Sequence, residues 1–167
     1  NVSLTGDATD DAANNNVIVF NGALIDTSGG GTVAAGSITL DSGNSDDTML
    51  LNTGVGTTVT LRTNGDLDGD GGAATNGDNS ITIGLVVNAD DGENLTLNAG
   101  GAQGDGAGDV DINAAIGAAG AIGRLTINAD DIDVDANVDA AGISATAQSS
   151  FDVDPANGGA VTIDING

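Results

Sequence analysis

The sequence predicts an all-β domain, a parallel β-helix (β-solenoid) of about six three-strand rungs with variable Gly/Asp-rich corners. Three observations predict it. Aliphatic residues fall in short runs that alternate with polar ones, a period of two that belongs to strands. Gly, Asn and Asp cluster between the runs, which is turn chemistry. The runs also recur in phase: Leu125, Ile143 and Val161 lie 18 apart, and each interval holds three runs. The 167 residues make one domain, 1–167.

Along the chain, the first unit covers 2–37: VSLT, then NNVIVF, then ALIDTSGGGTVAAGS. Its ALID stretch at 23–26 fits either the second or the third strand. The second unit, 38–58, reads ITL, TMLL and NTGVGTT. The third, 59–94, reads VTLR, a long insertion, SITIG and LVVNADDGEN. The fourth, 95–124, reads LTLN, a Gly-rich insertion, DVDIN and AAIGAAGAIGR. The last of these stretches is the best helix candidate, but it carries three Gly and no capping pattern. The units LTINADDIDVDANVDAAG at 125–142 and ISATAQSSFDVDPANGGA at 143–160 are the most regular, and VTIDING opens another. The expected first-strand column is Val2, Ile38, Val59, Leu95, Leu125, Ile143 and Val161. One such rung cannot bury its apolar face alone, whereas stacked rungs share a continuous core. Val59, Leu61, Ile132 and Val134 should point inward. Thr60, Asp131, Asp133 and Asp135 should point outward. Outward threonines such as Thr60, Thr82 and Thr96 could then form a flat ladder.

Composition excludes several functions. The chain carries 25 acidic residues, all Asp except Glu93, against Arg62 and Arg124, for a formal charge of −23. Without Cys or His there is no thiol nucleophile, disulfide framework, Ser-His-Asp triad or zinc site of Cys/His type. A sugar-processing cleft would lack His, Lys, Tyr and Trp, so no enzyme is expected. Such a negative surface repels phosphates, so nucleic acid is not an expected partner. No apolar run approaches the roughly 20 residues of a membrane span, so membrane insertion is not expected. With no initial Met or signal peptide in view, the chain reads as a mature or excised piece.

The acidity suggests calcium. In NGDLDGDGG at 64–72, Asp66, Asp68 and Asp70 alternate ahead of Gly71, like the opening of an EF-hand loop. Its twelfth position is Gly77, and Asp78 could close the loop one residue later. GGAQGDGAGD at 100–109 half-matches the nonapeptide calcium repeat and offers Asp105. Asp130, Asp131, Asp133 and Asp135 would stack on Asp152 and Asp154 one rung later. Like charges at inter-strand distance repel, which bound cations or high salt would relieve. Asp10, Asp11, Asp46, Asp47, Asp90, Asp91 and Glu93 form further acidic corners, and each Arg should neutralise a nearby Asp.

LTIN, LTLN and VTIDI rungs with Asp- and Gly-rich corners resemble the giant bacterial β-strand-repeat proteins, including filamentous-haemagglutinin-like adhesins and autotransporter passenger domains. That resemblance implies a parallel β-helix on the outside of a prokaryotic cell. The expected function is an extracellular structural protein: a filament or matrix subunit, or a stalk segment, with calcium at its Asp-rich corners. Its expected partner is itself, as a head-to-tail homopolymer or as tandem repeats, stacking through open strand ends. The alternative is a cell-surface adhesin that grips a surface polysaccharide through its long corners.

Overall fold

The computed structural model describes residues 2–5, 17–27, 36–41, 47–63, 80–100, 108–154 and 162–165. Among them there is no helix, and therefore none long and apolar enough to cross a membrane. The strands are β1 (Val2–Thr5), β2 (Val17–Phe20), β3 (Leu24–Asp26), β4 (Ile38–Asp41), β5 (Thr48–Leu51), β6 (Thr58–Arg62) and β7 (Ile81–Gly84). They continue with β8 (Val86–Ala89), β9 (Asn94–Asn98), β10 (Val110–Ile112), β11 (Ile122–Val134), β12 (Val138–Asp152) and β13 (Ile163–Ile165).

The pairings between these strands are parallel. Strands consecutive in the chain do not pair up to β10, because each meets the strand of the same kind one pass later. Three ladders result. In the first, Val2, Ile38, Ile81, Val110, Ile132 and Phe151 stand in register. In the second, Ile18, Met49 and Val87 pair in turn, and single bridges carry the series to Ile116 and Val138, then on to Ile163. The third holds Ile25, Leu61, Leu97, Ile127 and Ala145. The long strand β11 joins two ladders, since Leu125–Asn128 pairs with β9 and Ile132–Val134 with β10. This continuity joins the first and third ladders into one curled sheet, ten-stranded with β13 added through β12.

Alternation along each strand sends every second side chain to the inside of the curl. Val59, Leu61, Leu95, Leu97, Leu125, Ile127, Ile132 and Val134 are buried there, and Thr60, Thr96, Thr126 and Asp131 lie partly open between them. The core is almost wholly aliphatic. Phe20 is half-buried and Phe151 is 49% exposed.

The expected stacking of Leu125 on Ile143 is present, as are the pairs Val59–Leu95 and Leu95–Leu125. Val161 lies outside the described residues. The expected single first-strand column is corrected at its start: Ile38 pairs with Ile81, not with the column of Val59. The slip came from taking NTGVGTT as a strand. Residues 52–57 are a turn closed by Thr57 N–H donating to Gly54 O at 3.0 Å, with Gly54 and Gly56 at positive φ. The third strand of that pass is therefore β6 itself. ALID resolves to the third ladder through β3. The flat threonine ladder divides too: Thr60 and Thr96 share one ladder, and Thr82 belongs to another with Thr39.

Candidate functional site

The most concentrated chemistry in the described residues is carboxylate, and it gathers where the first and third ladders meet. Asp109, Asp130 and Asp131 bring one carboxylate oxygen each to within 4.8 Å of one another. Consecutive residues of a straight strand point to opposite faces, so Asp130 and Asp131 can converge only at a bend. The register there slips between Ala129 and Asp131: Ala129 pairs with Ala147, but Asp131 pairs with Ser150. That irregularity turns β11 from one ladder into the next. Ser149 Oγ donates to Asp130 Oδ1 at 2.6 Å and Ser150 Oγ to Asp131 Oδ1 at 2.7 Å, orienting both carboxylates. Asp109 is delivered by the insertion after β9. Gly108 N–H donates to Ala99 O at 2.9 Å and closes its base, and Asp130 N–H donates to Gly108 O at 3.0 Å and fastens it to the bend.

A calcium ion takes oxygen ligands at about 2.3–2.6 Å, so two ligands across it stand up to about 5 Å apart. The three-carboxylate spacing is therefore of the right size for one hard cation. Asp131 is the only one of the expected ligands in this group, and Asp130 was expected to stack close to it. Asp133 lies elsewhere, in a column where Asp111, Asp133 and Asp152 are direct register partners. Burial pushes the Asp111 carboxyl up, then the charges of Asp109, Asp133 and Asp135 add to it, against a hydrogen bond from Thr82. Loss of surrounding water raises Asp133 first, and Asp135, Asp152 and Asp154 raise it further. Asp66, Asp68, Asp70, Asp78 and Asp105 lie outside the described residues.

Arg62 pairs with Asp26 through Nη2 and Oδ2, as expected of an arginine beside the acidic corners. Its guanidinium is held above its usual range by that hydrogen bond and charge.

Sequence reasoning placed Glu93 only among the acidic corners and missed its burial. It is fully buried. Its Oε1 accepts from the backbone N–H groups of Thr53 at 3.2 Å and Gly54 at 3.1 Å, and Oε2 accepts from Asp91 N–H at 2.9 Å. Its own carbonyl accepts from Gly123 N–H at 2.8 Å. One residue thus ties together the corners of three successive passes. Burial pushes its carboxyl up, but the N–H groups of Asp91, Glu93 itself, Gly54 and Thr53 outweigh that and hold it below the usual carboxylate range. The signal was available: it is the lone Glu among the acidic residues, and its extra methylene supplies the reach.

Compared with protein-family models, with characterised proteins and with solved structures, the chain finds no match in any of the three.

Proposed function

We propose that the chain is an extracellular structural protein, a parallel β-helix segment of about six three-strand rungs that stacks head to tail and holds calcium at its Asp-rich corners. The observation that carries this reading is the condition of the last pass. Phe151 and Ile163 occupy register positions whose partners Ile132 and Val138 are buried, yet they are 49% and 40% exposed. These are core-type positions on the last described pass, and a further rung, from another copy or from the same polypeptide, would cover them. Unpaired strand edges of this kind are templates for more strands. The rung count rests on six in-register residues in the first ladder, from Val2 to Phe151, and five in the third, from Ile25 to Ala145. Among the described residues, a narrow aliphatic core and the lack of an aromatic-lined cleft suit a rod better than a catalyst.

Calcium has two parts in this reading. It bridges Asp109, Asp130 and Asp131, and it lowers repulsion along the Asp111–Asp133–Asp152 column so that rods can associate. The extracellular setting follows from the acidity and from the strand-repeat resemblance.

The test is electron microscopy and sedimentation of the purified chain in millimolar calcium and in a chelator. Filaments or rods longer than one chain that shorten on chelation are the expected result. Dispersed particles of single-chain mass under both conditions would overturn the reading.

A further inference from the structure

We infer that Asn21 is a site of spontaneous covalent modification: the backbone nitrogen of Gly22 closes on its side chain, and the residue ends as isoaspartate and aspartate. The inference does not depend on the stacking reading above.

The corner between the second and third ladders can be compared over three successive passes. Phe20, Leu51 and Ala89 are register partners at the ends of β2, β5 and β8, so Asn21, Asn52 and Asp90 each open the same corner. The residues that follow them are Gly22, Thr53 and Asp91. The backbone nitrogen of that following residue is the nucleophile that could close on the side chain before it. In two of the three passes a buried carboxylate holds it: Thr53 N–H donates to Glu93 Oε1 at 3.2 Å and Asp91 N–H to Glu93 Oε2 at 2.9 Å. In the first pass Gly22 N–H has no acceptor among the described residues.

The rest of the corner points the same way. Asn21 and Asn52 are both exposed, so water reaches either amide. Asn52 N–H donates to Phe20 O at 3.0 Å and Thr60 N–H donates to Ala23 O at 2.9 Å, which leaves Asn21 and Gly22 as the unheld span between two anchored carbonyls. Gly22 has no Cβ to hinder the approach and turns more freely than any other residue, whereas Thr53 is β-branched and stiff.

Water is the one co-reactant. Gly22 N bonds to Asn21 Cγ, the Cγ–Nδ2 bond breaks, and ammonia leaves with the proton from Gly22 N–H. Water then opens the five-membered imide. Attack at Cγ gives aspartate, and attack at the Asn21 main-chain carbonyl carbon gives isoaspartate. Either product replaces a neutral amide with a carboxylate. Isoaspartate also lengthens the path from Phe20 to Ala23 by one methylene.

The native chain is held at about pH 8 and about 37 °C, and its proteolytic fragments are followed by mass spectrometry, with electron-transfer fragmentation to separate isoaspartate from aspartate. Asn21 should gain about 1 Da at least tenfold faster than Asn52, with isoaspartate the larger product. Gly22→Ala should bring Asn21 close to the rate of Asn52. A Cβ at Gly22 meets only the ring of Phe20, at 3.2 Å, and Gly22 is not at positive φ, so this variant keeps the fold. Equal rates at Asn21 and Asn52 in the native chain would overturn the inference. So would aspartate formed without isoaspartate, which marks direct hydrolysis, or a rate unchanged by Gly22→Ala.

Discussion

Removing the buried carboxylate of Glu93 should cost more than any other single change at an acidic corner among the described residues, because three backbone donors converge on it. Glu93→Ala leaves the N–H groups of Thr53, Gly54 and Asp91 without their acceptor. A hydrogen bond to a charged group contributes about 1.5–3 kcal/mol. The Thr53 and Gly54 bonds are at the long end of the range and Asp91 is exposed, so the low end applies, and the total loss over the three bonds is about 4–5 kcal/mol. For a chain of this size that lowers Tm by about 8–20 °C. Glu93→Gln keeps one carbonyl acceptor but turns an amide donor toward a backbone N–H, and should lose about half as much. The assay is thermal unfolding followed by circular dichroism across pH. Glu93 is held below its ordinary value in the folded chain, so its contribution is present above the ordinary carboxylate range and is lost as pH falls through the lowered native value. The gap between the native chain and Glu93→Gln should therefore be full at pH 7 and close in strong acid. A gap under about 0.5 kcal/mol at pH 7, the size of an ordinary surface change, would refute the reasoning, as would a gap that ignores pH.

Other consequences follow the same logic. Asp133 is raised in the folded chain, so its protonated state is favoured at low pH and that stabilisation is lost as pH rises through the raised native value. Asp133→Asn should then stabilise the chain by about 0.2–1 kcal/mol at pH 7 and low salt, with the gain vanishing in acid or in molar salt, as read by urea titration. A Cβ on Gly120 would stand 2.2 Å from Ala89 O, so Gly120→Ala should lose more than about 2 kcal/mol, whereas Gly142→Ala, with nothing within 4 Å, should stay within about 1 kcal/mol of neutral. Equal effects at the two glycines would contradict the close approach of successive corners.

The repeat was legible wherever the passes are short. Leu125 and Ile143 are joined by a stretch with no insertion, so the period of 18 is also the ladder register. It was not legible around Ile38 and Val59, where insertions change the spacing of otherwise similar runs and Val55 in a glycine turn passes for part of a strand. Inward and outward faces could be read because a period of two survives any error of register by whole passes. The Asp111–Asp133–Asp152 column was half visible: Asp133 and Asp152 belong to neighbouring regular units, whereas Asp111 joins only through the pairing of β10 with β11. The cluster at Asp109 depends on a bulge and on the base of an insertion, and neither has a periodic signature.

The stacking of passes is tested most directly by backbone NMR contacts between neighbouring strands in the native chain. Cross-strand contacts in a parallel pattern should link Leu95 to Leu125 and Leu125 to Ile143, with Val110 to Ile132 and Ile132 to Phe151 in the adjoining ladder. Close Hα–Hα contacts between strands consecutive in the chain, the mark of antiparallel hairpins, would contradict it.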